Sequence, residues 1–325
     1  MTATLPADVC EVFDRFITTE YVTVDRRGQP IAWPVTPYHH ADAGCIDVTT
    51  GLGYPKKAED AAANPHVALL FSDPRGSALT ESPMVLVQGT ATVDDHDLKA
   101  NRERYSRESA EKLPAAQKGQ PPKFLRGMFS WYYDRIYVHV RPERVYVWEG
   151  GDASREPTLY DTHLEEVRSG QDELPDEPHA APEGGGTAPW DERIESLGSR
   201  EYPTAVLSLV SPDGFPFAVR APITPDRDAG VLRLTAEPVG VPWQPGLACV
   251  TAHAHDDAFT WQRNFQVRGD LVETGDGWIL QPHKVVGGFE LPPGSLLERM
   301  RINSAKVKRF RRIAKEQQAK RKART

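Results

Sequence analysis

Hydroxyl and ammonium groups are concentrated in one short stretch of this 325-residue chain, between two apolar runs. Thr49 and Thr50 end the first run, two glycines and Pro55 follow, and the adjacent cations Lys56 and Lys57 come next. Proline is common at the first position of a helix, and the free backbone N–H groups of a helix start attract anions. Backbone donors, hydroxyls and two positive charges therefore meet within about one helical turn. The stretch predicts an anion site of the kind that binds a phosphate group.

Two histidine pairs are the other side chains suited to chemistry. His39 and His40 are adjacent, whereas His253 and His255 alternate and would point to one face of a strand. The alternation leaves metal or haem binding open, but no third ligand stands at a recognisable spacing, so we predict no metal site. No nucleophile with a base can be read from spacing, and no catalytic residue is assigned. Three widely spaced cysteines are predicted to be free thiols: Cys10, Cys45 and Cys249.

The surrounding pattern is that of a mostly β protein. Short alternating apolar segments are separated by turns rich in glycine and proline, and the helical stretches of the first half are short: 7–17, 58–63 and 94–110. Residues 1–150 are predicted to form a first domain and 196–300 a second one. An acidic linker rich in proline and glycine, 151–195, lies between them, and 301–325 is a basic tail.

The strand-like segments after residue 196 repeat the order and spacing of the first set. Gln266-Val-Arg-Gly269 corresponds to Leu86-Val-Gln-Gly89, where Gln88-Gly89 is predicted to form a bulge. We interpret this pattern as a diverged internal duplication. The counterpart of the anion site, residues 235–245, contains Glu237 and no lysine. Only the first copy is therefore predicted to bind phosphate.

Composition and charge restrict the partners. No apolar run approaches the ~20 residues that a membrane helix needs, and the N-terminus lacks a signal-peptide pattern, so we predict a cytoplasmic protein. From 306 onwards there are ten Lys or Arg and one Glu, giving this segment a net charge of +9 against −16 for the rest. We interpret the tail as a solvated, partly helical extension. Nucleic-acid binding is the less favoured alternative, because Phe310 is the only aromatic residue in the tail that could stack on a base.

The order of these features resembles the pyridoxamine 5′-phosphate oxidase-like superfamily, which includes the flavin- and deazaflavin-dependent oxidoreductases built on a split β-barrel. The shared pattern runs from a hairpin with a Gly-x-Pro turn, through a strand ending in threonine, to a cationic pair, Asn-Pro and a core strand. In this chain it comprises Gly28-Gln-Pro30, Val48-Thr-Thr50, Lys56-Lys57, Asn64-Pro65 and 67–71. The resemblance covers about residues 10–150 and, more weakly, 200–290. It implies tandem split β-barrels with peripheral helices.

The resemblance also implies a cofactor and its contacts. Thr50, Lys56 and Lys57, with Thr49 second, would hold the phosphate of FMN or of the deazaflavin coenzyme F-420. The edge Val35-Thr36-Pro37 would lie along the isoalloxazine ring. Met84 stands where the family has a ring-contacting glutamine, and the oxidase proper has a basic residue on the second strand that this chain lacks. These departures count against the pyridoxamine phosphate reaction itself.

The implied function is a flavin- or deazaflavin-dependent oxidoreductase that transfers hydride to or from a small organic substrate. Family members commonly form dimers with each cofactor between two barrels, so the second barrel is predicted to replace the partner as an internal pseudo-dimer and to form a wall of the site. A homodimer is the other arrangement. A non-catalytic flavin-binding or sequestering protein and a haem-binding split barrel remain alternative functions.

Overall fold

The computed structural model describes residues 5–116, 126, 129–162, 190–288 and 304–322. Its helices are α1 (Ala7–Arg15), α2 (Lys56–Ala63), α3 (Leu98–Lys112), α4 (Ser130–Tyr133) and α5 (Ser304–Lys322). No helix in these ranges is both long enough and apolar enough to cross a membrane.

The first sheet contains eight antiparallel strands. They are β1 (Thr19–Val24), β2 (Pro30–Val35), β3 (Tyr38–His40), β4 (Cys45–Gly51), β5 (His66–Phe71), β6 (Met84–Asp94), β7 (Arg135–Trp148) and β8 (Thr158–Asp161). The order is β2-β1-β5-β6-β7-β4-β3, and β8 pairs with β7.

This order explains why the sheet is a split barrel. Its two edge strands, β2 and β3, are consecutive in the chain and are joined only by Thr36 and Pro37. Three residue steps from Val35 to Tyr38 span at most about 11 Å. The sheet must therefore curl until its edges lie close together, although β2 and β3 are not paired with each other.

The second sheet repeats this arrangement in the order β10-β9-β13-β14-β15-β12-β11. Its strands are β9 (Ala205–Val210), β10 (Pro216–Ala221), β11 (Ile223–Asp226), β12 (Val231–Leu234), β13 (Gly246–His255), β14 (Gln262–Thr274) and β15 (Gly277–Gly287). The edge strands β10 and β11 are separated by Pro222 alone. The fold is thus mostly β and contains two split barrels.

A glycine bulge stands at the same place in both barrels. The β6–β7 register shifts between Gln88 and Gly89, as the sequence predicted, and the β14–β15 register shifts between Arg268 and Gly269. A Cβ atom on Gly89 would lie 2.1 Å from the Arg141 carbonyl oxygen, and one on Gly269 would lie 2.2 Å from that of Gln281. Only glycine fits such a close backbone approach. An internal duplication is expected to leave this kind of matched irregularity.

The barrels pack against each other through a shared apolar core and specific hydrogen bonds. Leu70 and Leu86 of the first barrel and Val250 and Val267 of the second belong to one buried cluster. Side-chain amide and hydroxyl donors cross this interface to backbone carbonyls: Gln29 to Ala248, Gln88 to Pro216, and both Thr251 and Gln266 to Ala32. Because these polar groups are buried, their pairing makes the relative position of the barrels specific.

The helices differ from the sequence pattern mainly at their ends. α1 buries Val9, Val12 and Phe13 as predicted. The charged helix was expected to begin at Asp94, but Asp94 still pairs in β6, and Asp97 is the residue that caps α3 by accepting from two backbone N–H groups. Three of the four residues 94–97 are aspartates that offer alternative caps, and strand pairing determines which one is used.

The linker and the tail also differ from their predicted forms. The interval 151–195 contains β8, which extends the first sheet, while its segment 163–189 lies outside the described residues. Within the basic tail, α5 docks on the first barrel, with Ala314 fully buried and Phe310 stacked on Trp131 at 5.5 Å. The expectation of a merely solvated extension was wrong, since one face of this helix is apolar enough to pack.

Candidate functional site

The predicted anion-binding stretch forms the connection between β4 and α2. Thr50 pairs with Ile136 on β7 and donates its hydroxyl to the Tyr54 carbonyl at 2.7 Å, which closes the turn. Thr49, one residue earlier, pairs with Tyr137 and lies on the opposite face of the sheet. The two hydroxyls therefore do not converge on one point, and Thr50 already has a partner.

Both glycines of the connection are required by close packing. A Cβ atom on Gly51 would lie 2.8 Å from the Trp131 carbonyl oxygen and 3.0 Å from the Tyr54 ring. One on Gly53 would lie 2.7 Å from the Cβ of Phe310. The missing side chains let Tyr54 fold across the end of β4 and let α5 cover the connection.

Lys56 and Lys57 face different surroundings. Lys56 has an exposed side chain and forms an ion pair with Asp60 on the next helical turn. It lines a cleft of about 630 Å3 between the β1–β2 turn, α2 and α5. The other cations of the cleft are Arg26, Arg27, Lys320 and Arg321, and its acids are Asp25, Glu59, Asp60 and Asp95. Among the described residues that line this cleft, none comes from the second barrel, contrary to the wall that we expected.

Lys57 is partly buried on the other side, close to the guanidinium of Arg135. Burial, and then repulsion by Arg135, lowers the pKa of Lys57 to about 7. Arg135 begins β7 directly opposite Gly51 and is only 5% exposed. Lys57 and Arg135 thus lie close together where little water reaches them.

Aromatic rings surround the Arg135 guanidinium. Its Cζ lies 4.0 Å from the ring centre of Tyr105 and 4.3 Å from that of Tyr132, and its Nη1 donates to the Tyr54 hydroxyl at 3.1 Å. Its buried Nε has no hydrogen-bond partner. Throughout the described ranges, neither Arg135 nor Lys57 forms an ion pair with a carboxylate. Cation–π contacts compensate only part of the lost hydration, so this pair of cations is suited to binding an anion.

The remaining predicted contacts lie in two separate places. Val35 ends β2 in the core of the first barrel, half-buried Thr36 and buried Pro37 form the link to β3, and this link is near the β4 end of the sheet. Met84 lies in the core shared by the barrels and pairs with Trp148. Trp148 is twelve residues along β7 from Ile136, which is about 40 Å of strand length. The structure therefore does not bring Met84 to the Lys57–Arg135 pair.

Sequence reasoning did not single out Arg135 or the tyrosines around it. The available signal was weak: an arginine at the start of an alternating strand is ordinarily exposed. Its special position follows from pairing opposite a glycine, which depends on the β4–β7 register and on α3 covering this face.

A second polar cluster lies further along the same face of β3, β4 and β7. Asp47, 1% exposed, accepts from Arg104 of α3 and from His139 Nδ1 at 2.7 Å, and Cys45 Sγ lies 3.6 Å from it. Although burial opposes it, bonding to His139 and Arg104 lowers the pKa of Asp47. A pocket of about 540 Å3 that includes His40 opens beside this cluster. The carboxylate is fully used by its partners, so this network holds α3 on the sheet.

The comparisons with known proteins bear on the fold. No family model and no curated protein matches the chain. Solved structures that match include an FMN-binding, pyridoxamine 5′-phosphate oxidase-related protein from Nostoc punctiforme, at 17% identity and a TM-score of 0.36 over 50% of this chain and 93% of that one. An F420 reductase matches at 19% identity and a TM-score of 0.32, over 43% and 98% of the two chains.

A haem storage protein from Vibrio cholerae matches at 15% identity and a TM-score of 0.31, over 45% of this chain and 96% of that one. Each of these matches covers about half of this chain. Likeness at this level describes architecture and says nothing of ligand or activity. The expected split-barrel fold is confirmed by the strand order of the two sheets, and the matching solved structures include proteins described as pyridoxamine 5′-phosphate oxidase or related to it.

Proposed function

We propose that the first barrel binds the phosphate of FMN or of the deazaflavin coenzyme F-420, and that the protein is an oxidoreductase that uses this cofactor on a small organic substrate. The observation that carries the proposal is the adjacent, carboxylate-free pair Lys57 and Arg135 with an unpartnered guanidinium Nε. Of the ligands bound by the split-barrel group that the sequence pattern resembles, a flavin with a phosphate group would supply the anion that these two cations lack.

The residues fit a phosphate in three respects. Lys57 and Arg135 supply charge, and the free Nε–H of Arg135 is a donor with a fixed direction. The tyrosines that pack on Arg135 hold the guanidinium in place, so little side-chain freedom is lost on binding. Lys56 is already paired with Asp60 and faces the separate cleft, so we assign the phosphate to Lys57 and not to Lys56.

The role of the protein in this proposal is positioning. A bound flavin or deazaflavin supplies the hydride chemistry. Lys57 and Arg135 hold its phosphate end, and α5, through Phe310 against Tyr54 and Trp131, shields that end from water. Val35, Thr36 and Pro37 are kept as the proposed ring edge, whereas Met84 is not.

The visible spectrum of the purified protein is the first test. A flavin or deazaflavin band supports the proposal, and a Soret band would favour the haem alternative instead. Retention of FMN and of F-420 is then measured by equilibrium dialysis for wild type, Lys57→Gln and Arg135→Lys. We expect Lys57→Gln to weaken binding by about 10- to 100-fold, the worth of one charge-assisted contact of ~1.5–3 kcal/mol.

The matched control is Lys56→Gln, a substitution of the same type one residue away. It should retain the cofactor as wild type does. The reverse pattern, with loss in Lys56→Gln and none in Lys57→Gln, would place the phosphate in the 630 Å3 cleft and refute the assignment. Turnover of the bound cofactor by added reductant and acceptor distinguishes an oxidoreductase from a non-catalytic binder.

A further inference from the structure

Two histidines of the second barrel meet an aspartate of the first at the interface between the barrels. His253 and His255 lie on β13 two residues apart and so project from one face, and Asp73 follows β5. One ligand atom from each of the three residues lies within 4.8 Å of the others. The sequence offered no third ligand for this pair, because Asp73 is 180 residues away from His253 along the chain.

The spacing suits a single metal ion. Zn2+ bonds of about 2.0–2.1 Å to nitrogen and oxygen place tetrahedral donor atoms roughly 3.4 Å apart. His255 Nε2 lies 3.9 Å from Asp73 Oδ2, so an adjustment of about half an ångström suffices there. The Thr18 hydroxyl, 3.2 Å from the same nitrogen, adds a neutral oxygen.

The second nitrogen of each histidine is bonded in the way that orients a ligand. His255 Nδ1 lies 3.0 Å from the Asp256 carbonyl oxygen, which can only accept, so the lone pair of the neutral ring is on Nε2. His253 Nε2 contacts the Glu20 carboxylate, which only accepts, and Arg220 Nη2, which only donates. When the ring proton is on Nε2 and is donated to Glu20, the lone pair of the neutral ring is on Nδ1. Carboxylate or carbonyl partners of this kind are typical behind metal-binding histidines.

The buried Nδ1 atom of His253 lacks a partner, and this points to a ligand. This side chain is only 2% exposed, yet Nδ1 has no hydrogen-bond partner. Burying an unpaired polar atom is unfavourable, and a metal ion bound to its lone pair would remove that cost. Asp73 is 17% exposed at the edge of the cluster, which leaves a side from which an ion can enter.

The two arginines near this cluster already have hydrogen-bond partners, and Arg75 donates to the His255 carbonyl oxygen at 3.0 Å. Arg220 donates to Glu20 at 2.7 Å and to the Ser72 hydroxyl at 2.8 Å, and it also lies 2.8 Å from His253 Nε2. The Glu20 carboxylate accepts from Arg220 Nη2 and faces His253 Nε2. Arg220 thus contacts His253 at Nε2, on the Glu20 side, and Nδ1 is left without a partner.

We propose that Asp73, His253 and His255 bind one divalent transition-metal ion, Zn2+ or a neighbour in the first row, as a bridge between the two barrels. Two imidazoles and one carboxylate are a donor set that such ions favour. The ion would link β13 of the second barrel to the end of β5 in the first. The proposal is independent of the flavin site.

The Cys45, Asp47 and His139 cluster is the competing site, since its ligand atoms also lie within 4.8 Å of one another. There, however, Arg104 and His139 already bond to the Asp47 oxygens. A metal ion would have to displace both. That cluster therefore serves as the control in the test.

The test is a Co2+ titration of tag-free, chelator-treated protein, followed by the visible ligand-field bands of the ion. Wild type is expected to bind one Co2+ per chain, and Zn2+ is expected to displace it and to raise the unfolding temperature. Asp73→Asn should abolish the bands, and His139→Asn should leave them unchanged. Glu20→Gln should weaken affinity by about 10- to 100-fold, as for other groups behind a metal-binding histidine.

Folded wild type that takes up no Co2+, or bands that are lost in His139→Asn and kept in Asp73→Asn, would overturn the proposal. Substitution of the buried histidines could prevent folding, so the decision does not depend on them. Asp73 lies at the partly exposed edge, and circular dichroism of Asp73→Asn confirms its fold before titration.

Discussion

The lowered pKa of Lys57 makes cofactor binding depend on pH in a direction that follows from the structure. Without an anion its pKa is about 7, because burial removes water and Arg135 repels a second charge. An anionic phosphate beside the ammonium group raises that pKa, so binding takes up a proton wherever Lys57 is neutral beforehand. The phosphate of FMN is a monoester with a second pKa of about 6, so it stays dianionic above pH 7.

The magnitude follows from a free-protein pKa of about 7. At pH 8, Lys57 is about 90% neutral, so binding should take up ~0.9 proton per cofactor. Between pH 8 and 9 the affinity should fall about tenfold, or ~1.4 kcal/mol. Below pH 7, Lys57 is already charged, and the pH dependence should flatten.

The assay is calorimetric titration with FMN, and with F-420, at pH 8 in two buffers of different ionisation enthalpy, which yields the number of protons taken up. Fluorescence titration from pH 6.5 to 9 gives the slope of affinity. Lys57→Arg is the decisive control, because a guanidinium stays charged throughout this range. It should bind with a flat pH profile, and Lys56→Gln should behave as wild type.

Tight binding without proton uptake at pH 8 would refute this reasoning, since it would mean that Lys57 does not face the phosphate. An unchanged pH slope in Lys57→Arg would do the same and would assign the titration to another group.

Three further outcomes are expected. The unfolded chain binds more protons than the anion-free folded protein between pH 7 and 10, because Lys57 titrates at about 7 instead of 10.5, so denaturant unfolding should show stability rising with pH in this window. In the same assay, Gly89→Ala and Gly269→Ala should each lower the free energy of unfolding by on the order of 2–4 kcal/mol. Gly275→Ala is the control and should leave it nearly unchanged, because nothing lies within 4 Å of the added Cβ. Phe310→Ala should lower the free energy of unfolding by about 1–3 kcal/mol, which is less than the loss expected for a fully buried phenylalanine. It should also speed tryptic cleavage of α5, and unaltered cleavage would contradict the docking of this helix.

Much of the local structure could be predicted from the sequence. Alternating apolar residues indicate most of the strands. Asn64-Pro65 ends α2, because the residue before a proline avoids the helical conformation. The bulge predicted at Gln88-Gly89 is present. The boundary at Asp97 was missed, since a strand and a helix compete for the preceding aspartates. These outcomes depend on backbone preferences over a few residues.

The sequence by itself determined the kind of chemistry available: hydroxyls and lysines beside glycines, and histidines alternating on a strand. Only the tertiary structure decided which groups meet. Lys57 acquires its low pKa from burial and from Arg135, 78 residues away, and His253 finds Asp73 only where the two barrels pack. Local patterns follow from backbone sterics and periodicity over a few residues. Contacts between distant residues depend instead on strand order and register, and it is the register that pairs Arg135 with Gly51 and so brings it close to Lys57.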